Sequence, residues 1–256
     1  KELILTPHLG ASTQEAQINV AIDVAKQIHD FFNGVPPKSA VNIPSIKPEI
    51  LDSHKPFFEL AEKLGYFQAE LLEGNVKEIH ITYYGKTFER ETQLITRYCL
   101  VGFLKPTFQD SVNFVNAPLL TQARGVKLVE IHSDAPAKFS DMISVEVVTD
   151  KRRRVASGTI FNGSDIRIVN VDGYWFDLVP KGNIIFVTHK DRPGIIGKVG
   201  TLLGDRNINI AGMQVGRESV RGNAVMALSV DDSITEKVIK ELQKIEGLDT
   251  CRLLTF

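Results

Sequence analysis

Residues 189–212, HKDRPGIIGKVGTLLGDRNINIAG, open with charged and ring residues and run into a segment of helical periodicity. Ile195, Ile196, Val199, Leu202 and Leu203 recur at helical spacing and predict one buried stripe. At about 100° per residue, Gly194, Gly197 and Gly200 fall on the opposite face. An interior glycine costs a helix about 1 kcal/mol relative to alanine. Three on one side therefore predict a close approach, by a ligand at the helix start or by another backbone along its flank. The competing reading is an exposed face that tolerates glycine, with Gly204 as a C-terminal cap.

The start of this helix favours a ligand. Pro193 suits the first turn, where a missing N–H does no harm. The amides of Gly194, Ile195 and Ile196 would then point outward with the positive end of the helix dipole, a place for a carboxylate. His189 and Asp191 stand just before them and offer acceptors to an ammonium group, while Asn209 both donates and accepts. An anion site beside a carboxylate suits a zwitterion, a free amino acid. Taken singly, Asp191 also reads as a helix N-cap, and His189 as a structural histidine.

Outward from this stretch, residues 183–256 give strand Ile184–Thr188, helix Pro193–Leu203, strand Ile208–Val215, strand Asn223–Val230, helix Ile234–Ile245 and strand Thr250–Leu254. Ser233 and Glu236 form a capping box, and Gly247 a C-cap. This βαββαβ order is ferredoxin-like, with two helices on one face of a four-stranded antiparallel sheet. Its second strand lies at an edge. Ile208–Val215 holds no proline and little charge, so it predicts self-association through that edge.

Residues 43–181 read as a separate antiparallel α+β unit. Phe57, Phe58, Leu60, Ala61 and Leu64 predict a helix ending near Gly65. Val76–Tyr84 alternates as a strand, and Glu89–Leu104 and Asn116–Gly125 read as helices. Val126–Ser133, Met142–Thr149, Arg154–Phe161, Ile166–Val171 and Tyr174–Val179 follow as strands, with Asp172-Gly173 a two-residue hairpin signal. Runs of strands with helices set apart indicate α+β architecture. Lys151–Arg154, the densest basic run, falls on a predicted turn and reads as solvated charge.

Upstream, Leu3–Thr6 reads as a strand end, and Ser12 and Glu15 as the capping box of a helix that Gly34 ends. Prolines 36, 37, 44 and 48 mark a linker over residues 35–48, which divides residues 1–34 from the rest. The start at Lys1, without methionine and in a strand-like stretch, reads as a piece of a longer chain.

The 256 residues are 43% hydrophobic and carry a formal net charge of −1, which argues against nucleic acid or an anionic membrane as the main partner. No apolar run approaches the roughly 18 residues of a membrane span. Cys99 and Cys251 lack metal-like spacing, so no metal site and a reducing, cytoplasmic setting are expected.

Residues 189–212 resemble the start of an ACT domain, a small regulatory module that commonly binds amino acids. TPHLGASTQEAQ, residues 6–17, resembles the segment that carries the catalytic histidine of D-2-hydroxyacid dehydrogenases. With VNFVNAPLLTQARGV (112–126) and DGYWFDL (172–178), the whole chain is similar to the C-terminal part of long-form D-3-phosphoglycerate dehydrogenases. That family oxidises 3-phosphoglycerate with NAD at the first step of serine synthesis, and L-serine inhibits it.

The resemblance implies His8 as acid/base, a role an imidazole titrating near neutrality suits. Its glutamate and arginine partners would lie upstream of Lys1. No stretch matches the dinucleotide turn G-x-G-x-x-G. NAD is thus expected in the parent enzyme and neither NAD binding nor turnover in this chain alone. The resemblance also implies L-serine at His189, Asp191, Asn209 and the amides of Gly194–Ile196, bound across paired ACT modules. Arg167, Trp175 and Lys181 lie near positions where the family places contacts to a phosphate or substrate-like anion. Two other classes resemble it less: a stand-alone amino-acid sensor and the regulatory chain of an iron–sulfur serine dehydratase. Neither needs LTPHLGAST.

Overall fold

The computed structural model describes residues 3, 5–33, 41–42, 48–89, 92–135 and 137–256. The chain divides into two compact units, residues 1–52 and 53–256. In the first, α1 (Gln14–Phe32) starts from Thr13, whose hydroxyl accepts from the Ala16 amide at 3.1 Å. The expected Ser12 cap is one residue early, because Thr13 has the extended backbone that an N-cap requires. Ile18, Ile22, Ile28 and Phe31 of α1 are exposed. Leu3, Leu5 and Thr6 are in no strand. Gly34, read as the end of α1, and most of the proline-rich stretch lie outside the described residues.

The second unit is built on the part of α2 (Pro48–Glu70) from Ser53 onward. Gly65 does not end this helix; it lets it touch a neighbour. A Cβ on Gly65 would lie 2.0 Å from the Cys99 carbonyl oxygen, and one on Gly102 1.8 Å from that of Glu62. Helices α2 and α3 (Gln93–Phe108) therefore cross with their backbones in contact, which only residues lacking a Cβ permit.

Around them lie β1 (Val76–Tyr84), α4 (Ala117–Ala123), β2 (Lys127–Ser133), β3 (Met142–Thr149), β4 (Arg153–Phe161), β5 (Asp165–Val171) and β6 (Tyr174–Leu178). Among the described residues these strands form one sheet in the order β2-β1-β3-β4-β5-β6. The hairpin-linked strands are antiparallel as expected, but β2 runs parallel to β1, with Glu78 beside Lys127 and Tyr84 beside Ser133. Helices α3 and α4 supply the crossover that a parallel pair needs. Asp172 and Gly173 both take positive φ, +50° and +90°, in the predicted hairpin turn.

The basic run is not simply solvated. Arg154 is 6% exposed, donates to the Leu71 carbonyl at 3.3 Å and lies 3.2 Å from the Asp172 carboxylate. Arg152 bridges Glu73 and Asp172, at 3.2 and 3.4 Å. Period-2 alternation on β4 turns Arg154 inward while Arg153 points outward to Glu146.

The C-terminal part runs β7 (Asn183–Lys190), α5 (Ile195–Asp205), β8 (Ile210–Arg217), β9 (Asn223–Val230), α6 (Glu236–Leu242) and β10 (Leu248–Thr255), the expected βαββαβ order. The antiparallel sheet is ordered β10-β7-β9-β8, with β8 at an edge as expected. Helix α6 starts later than expected, after Thr235, and Gly247 turns the chain into β10 at φ +97° rather than ending the helix.

One face of this sheet packs Ile185, Val187, Met226 and Leu228 against Val199 and Leu203 of α5 and Val238 and Leu242 of α6. The other face meets the rest of the unit. Phe186 contacts Phe67 of α2 edge-on, with ring centroids 5.3 Å apart. A Cβ on Gly216 of β8 would lie 3.1 Å from the Trp175 carbonyl oxygen of β6. Lys63 donates to the Pro180 carbonyl at 2.7 Å. Cover on both faces explains why β7 and β9 read as continuous apolar runs instead of alternating.

Candidate functional site

His189 ends β7 on the helix-covered face, in phase with Ile185 and Val187. It is 2% exposed. Its Nδ1 lies 2.9 Å from the Lys190 carbonyl oxygen. A carbonyl only accepts, so Nδ1 carries a proton, and in the uncharged tautomer Nε2 then presents a lone pair. That Nε2 is buried and has no hydrogen-bond partner among the described residues. A buried acceptor left open is a place for a ligand donor.

Asp191 follows, its amide donating to the Gly222 carbonyl at 2.8 Å. Its Oδ2 accepts from the Arg221 amide at 3.2 Å and from Arg217 Nη1 at 3.3 Å. The Arg221 amide first, and the Arg217 guanidinium second, hold this carboxyl below the usual carboxylate value. Asp191 is thus not the cap of α5. Gly194 is, in left-handed conformation at φ +92° and without a side-chain bond, and Pro193 precedes it. The Ile195 amide donates to the Arg192 carbonyl at 3.4 Å, so it is not free as expected. The Gly194 and Ile196 amides have no acceptor among the described residues.

An added Cβ at Gly194, Gly197, Gly200 or Gly204 would meet nothing within 4 Å. The glycine flank of α5 is open among the described residues. Gly204 lies inside the last turn; Arg206 caps the helix and binds Glu241 of α6 through two bonds of 2.8 Å.

Asn209 is not brought to His189 within one chain. Its side chain donates to Asp231 at 2.5 Å and its amide to Asp232 at 2.9 Å, beyond the end of β9. His189 pairs with Ala224, at the start of β9. Seven residues at about 3.3 Å each separate these ends by about 23 Å. The residue that does reach the His189 end is Arg217, paired with Ala224 from the other side.

The comparisons agree with this architecture. Residues 53–172 match the model of the D-3-phosphoglycerate dehydrogenase intervening domain, and residues 183–247 that of the ACT domain. The D-3-phosphoglycerate dehydrogenase of Synechocystis is 39% identical over 247 residues, covering 96% of this chain and 45% of the relative. That of Bacillus subtilis is 37% identical over 252 residues, covering 98% and 48%. That of Archaeoglobus fulgidus is 38% identical over 248 residues, covering 96% and 47%. The chain is homologous to the C-terminal part of the D-3-phosphoglycerate dehydrogenases. It spans about half the length of the curated relatives it matches.

In the intervening domain, Arg167 already has a carboxylate, with Nε 3.0 Å from Asp177, and donates to the Ile166 carbonyl at 3.0 Å. Trp175 is 42% exposed with Lys138 Nζ 4.3 Å from its ring centroid, a cation neighbour the sequence did not suggest. Lys181 is exposed, three residues beyond β6. His8 is an exposed loop residue of the first unit. In the ACT domain Gly194 caps α5 and Gly197 and Gly200 lie within it, beside an antiparallel sheet, and they do not form a G-x-G-x-x-G turn between parallel strands. Among the described residues no group of three or more His, Cys, Asp or Glu is placed to hold a metal, and no helix is long and apolar enough to cross a membrane.

Proposed function

We propose that this chain is the regulatory portion of a D-3-phosphoglycerate dehydrogenase, with L-serine as the effector of its ACT domain. The observation that carries the reading is the buried Nε2 of His189, without a partner among the described residues, beside Asp191 and the start of α5. An ammonium satisfies acceptors on His189 and Asp191, and donors at the helix start and beyond take the carboxylate.

A second copy completes the site. Met213 and Val215 on the edge strand β8 are 40% and 38% exposed. Two-fold pairing of β8 with itself is antiparallel and self-complementary. It sets the end bearing Arg217 and Arg221 against the partner's end bearing Asp231 and Asp232, so opposite charges meet twice. The same pairing carries the partner's Asn209 toward Asp191 and bridges the separation found within one chain. Effector binding then favours one arrangement of the modules, and control passes to the dehydrogenase part of the longer protein.

In that protein His8 acts as acid/base in the NAD-dependent oxidation of 3-phosphoglycerate, in the cytoplasm. Arg167, Trp175 and Lys181 of the intervening domain take a phosphate or substrate-like anion, which must displace Asp177 from Arg167. Calorimetric titration of the chain with L-serine, D-serine and glycine tests the central claim. Saturable L-serine binding that His189→Ala abolishes is expected; no heat from any of the three would end the reading.

A further inference from the structure

The end of the sheet at which His189 is buried carries a guanidinium held on Asp191, and it comes from outside residues 189–212. We propose that Arg217 is the specificity-determining group that receives the carboxylate of the bound amino acid. The role rests on the reading of this site as an amino-acid receptor.

Arg217, Ala224 and His189 are register partners across three neighbouring strands. All three share the helix-covered face, in phase with Val215, Met226 and Val187. Strands lie about 4.8 Å apart, so the backbones of His189 and Arg217 are about 9.6 Å apart. Ala224, 1% exposed, puts only a methyl between them.

The chemistry assigns the two ends. His189 offers a lone pair on Nε2 and suits the ammonium or hydroxyl. Arg217 uses Nη1 on Asp191, and its side chain is 56% exposed. A guanidinium has five N–H donors in a planar fork, so one contact leaves a pair for a bidentate carboxylate. Anchoring by Asp191 orients that fork in advance. The helix start offers less than the sequence suggested, since the Ile195 amide is engaged by the Arg192 carbonyl.

Calorimetry of the wild-type chain and Arg217→Gln with L-serine and with L-serinamide, which keeps the ammonium and hydroxyl but lacks the carboxylate, tests this. Arg217→Gln is expected to weaken L-serine by about ten-fold or more, the effect of one charged hydrogen bond, and L-serinamide by less than about two-fold. Arg217→Lys, which keeps the charge without the fork, recovers part of the preference and serves as the folded control. Equal weakening of both ligands would show that Arg217 acts only through Asp191 or the dimer edge and overturn the assignment. Unchanged serine affinity would return the carboxylate to the helix amides. A wild-type chain that binds neither ligand removes the receptor reading and this role together; a wild type that binds, with an unaltered ratio in the variant, removes Arg217 alone.

Discussion

Asp191 and Arg217 are 26 positions apart in the chain and meet at 3.3 Å, the guanidinium sharing Oδ2 with the Arg221 amide. The contact closes the end of the ACT sheet at which His189 is buried. It also sets how that end responds to acid. The Arg221 amide first and Arg217 second depress the carboxyl below its ordinary value. A depressed carboxyl contributes fully above its unfolded pKa and loses that contribution as pH falls through the folded one. The Asp191 contribution to effector affinity is therefore expected to hold from neutrality to about pH 4 and to fall in more acid solution. Asp191→Asn should flatten that limb. A loss centred near about pH 6.5 would assign the dependence to an imidazole instead.

The glycines divide into two kinds with opposite outcomes. Gly65→Ala and Gly102→Ala each drive a methyl into a facing carbonyl. Overpacking of this sort costs about 1–3 kcal/mol and more when backbone must shift. Urea denaturation should show each variant destabilised by at least that range. Gly197→Ala meets nothing and should stabilise α5 by up to about 1 kcal/mol. If α5 flanks lie together in the paired ACT domains, the same substitution also weakens self-association, which sedimentation velocity reads directly.

Arg154 and Asp172 form the most sequestered ion pair of the intervening domain among the described residues. Burial lowers the Arg154 pKa, and Asp172 acts against that shift. Removing one partner of such a pair costs about 3–5 kcal/mol, because the other is left uncompensated. Asp172→Ala is expected to reach that range and Arg154→Met to cost distinctly less. Equal losses in chemical denaturation would show that the charge balance does not govern the site.

Desolvation pushes the thiols of Cys99 and Cys251 up to about 12. Thiolate is the reactive form, so neither should react with a thiol-specific reagent at neutral pH until the chain unfolds. Rapid labelling of one cysteine in the native chain would mark a local opening around it.

Much of the fold was legible. Periodicity placed β7, α5 and β9, and the order βαββαβ fixed β8 as an edge. Asp172-Gly173 announced its hairpin because both residues tolerate positive φ. The misses share a cause, since each depends on a partner distant in sequence. Gly65 resembles a helix stop until Cys99 is seen against it. Arg154 resembles solvated charge until Leu71 and Asp172 are placed around it. The parallel pairing of β2 is invisible in its own residues.

The separation of Asn209 from His189 was available from topology alone. Helix α5 carries the chain back along the sheet, so β8 begins at the end opposite to where β7 finishes, and Arg217 at the close of β8 returns to His189. Proximity within the 189–212 stretch concealed that.

Phe186 leaning on Phe67, and Gly216 under the Trp175 carbonyl, have a practical consequence for anyone hoping to transplant this sensor. A cut between 182 and 183 would strip one side of the ACT sheet to bare hydrocarbon, and the excised piece should aggregate or pair promiscuously. A graft that behaves must bring α2 and the whole intervening sheet with it.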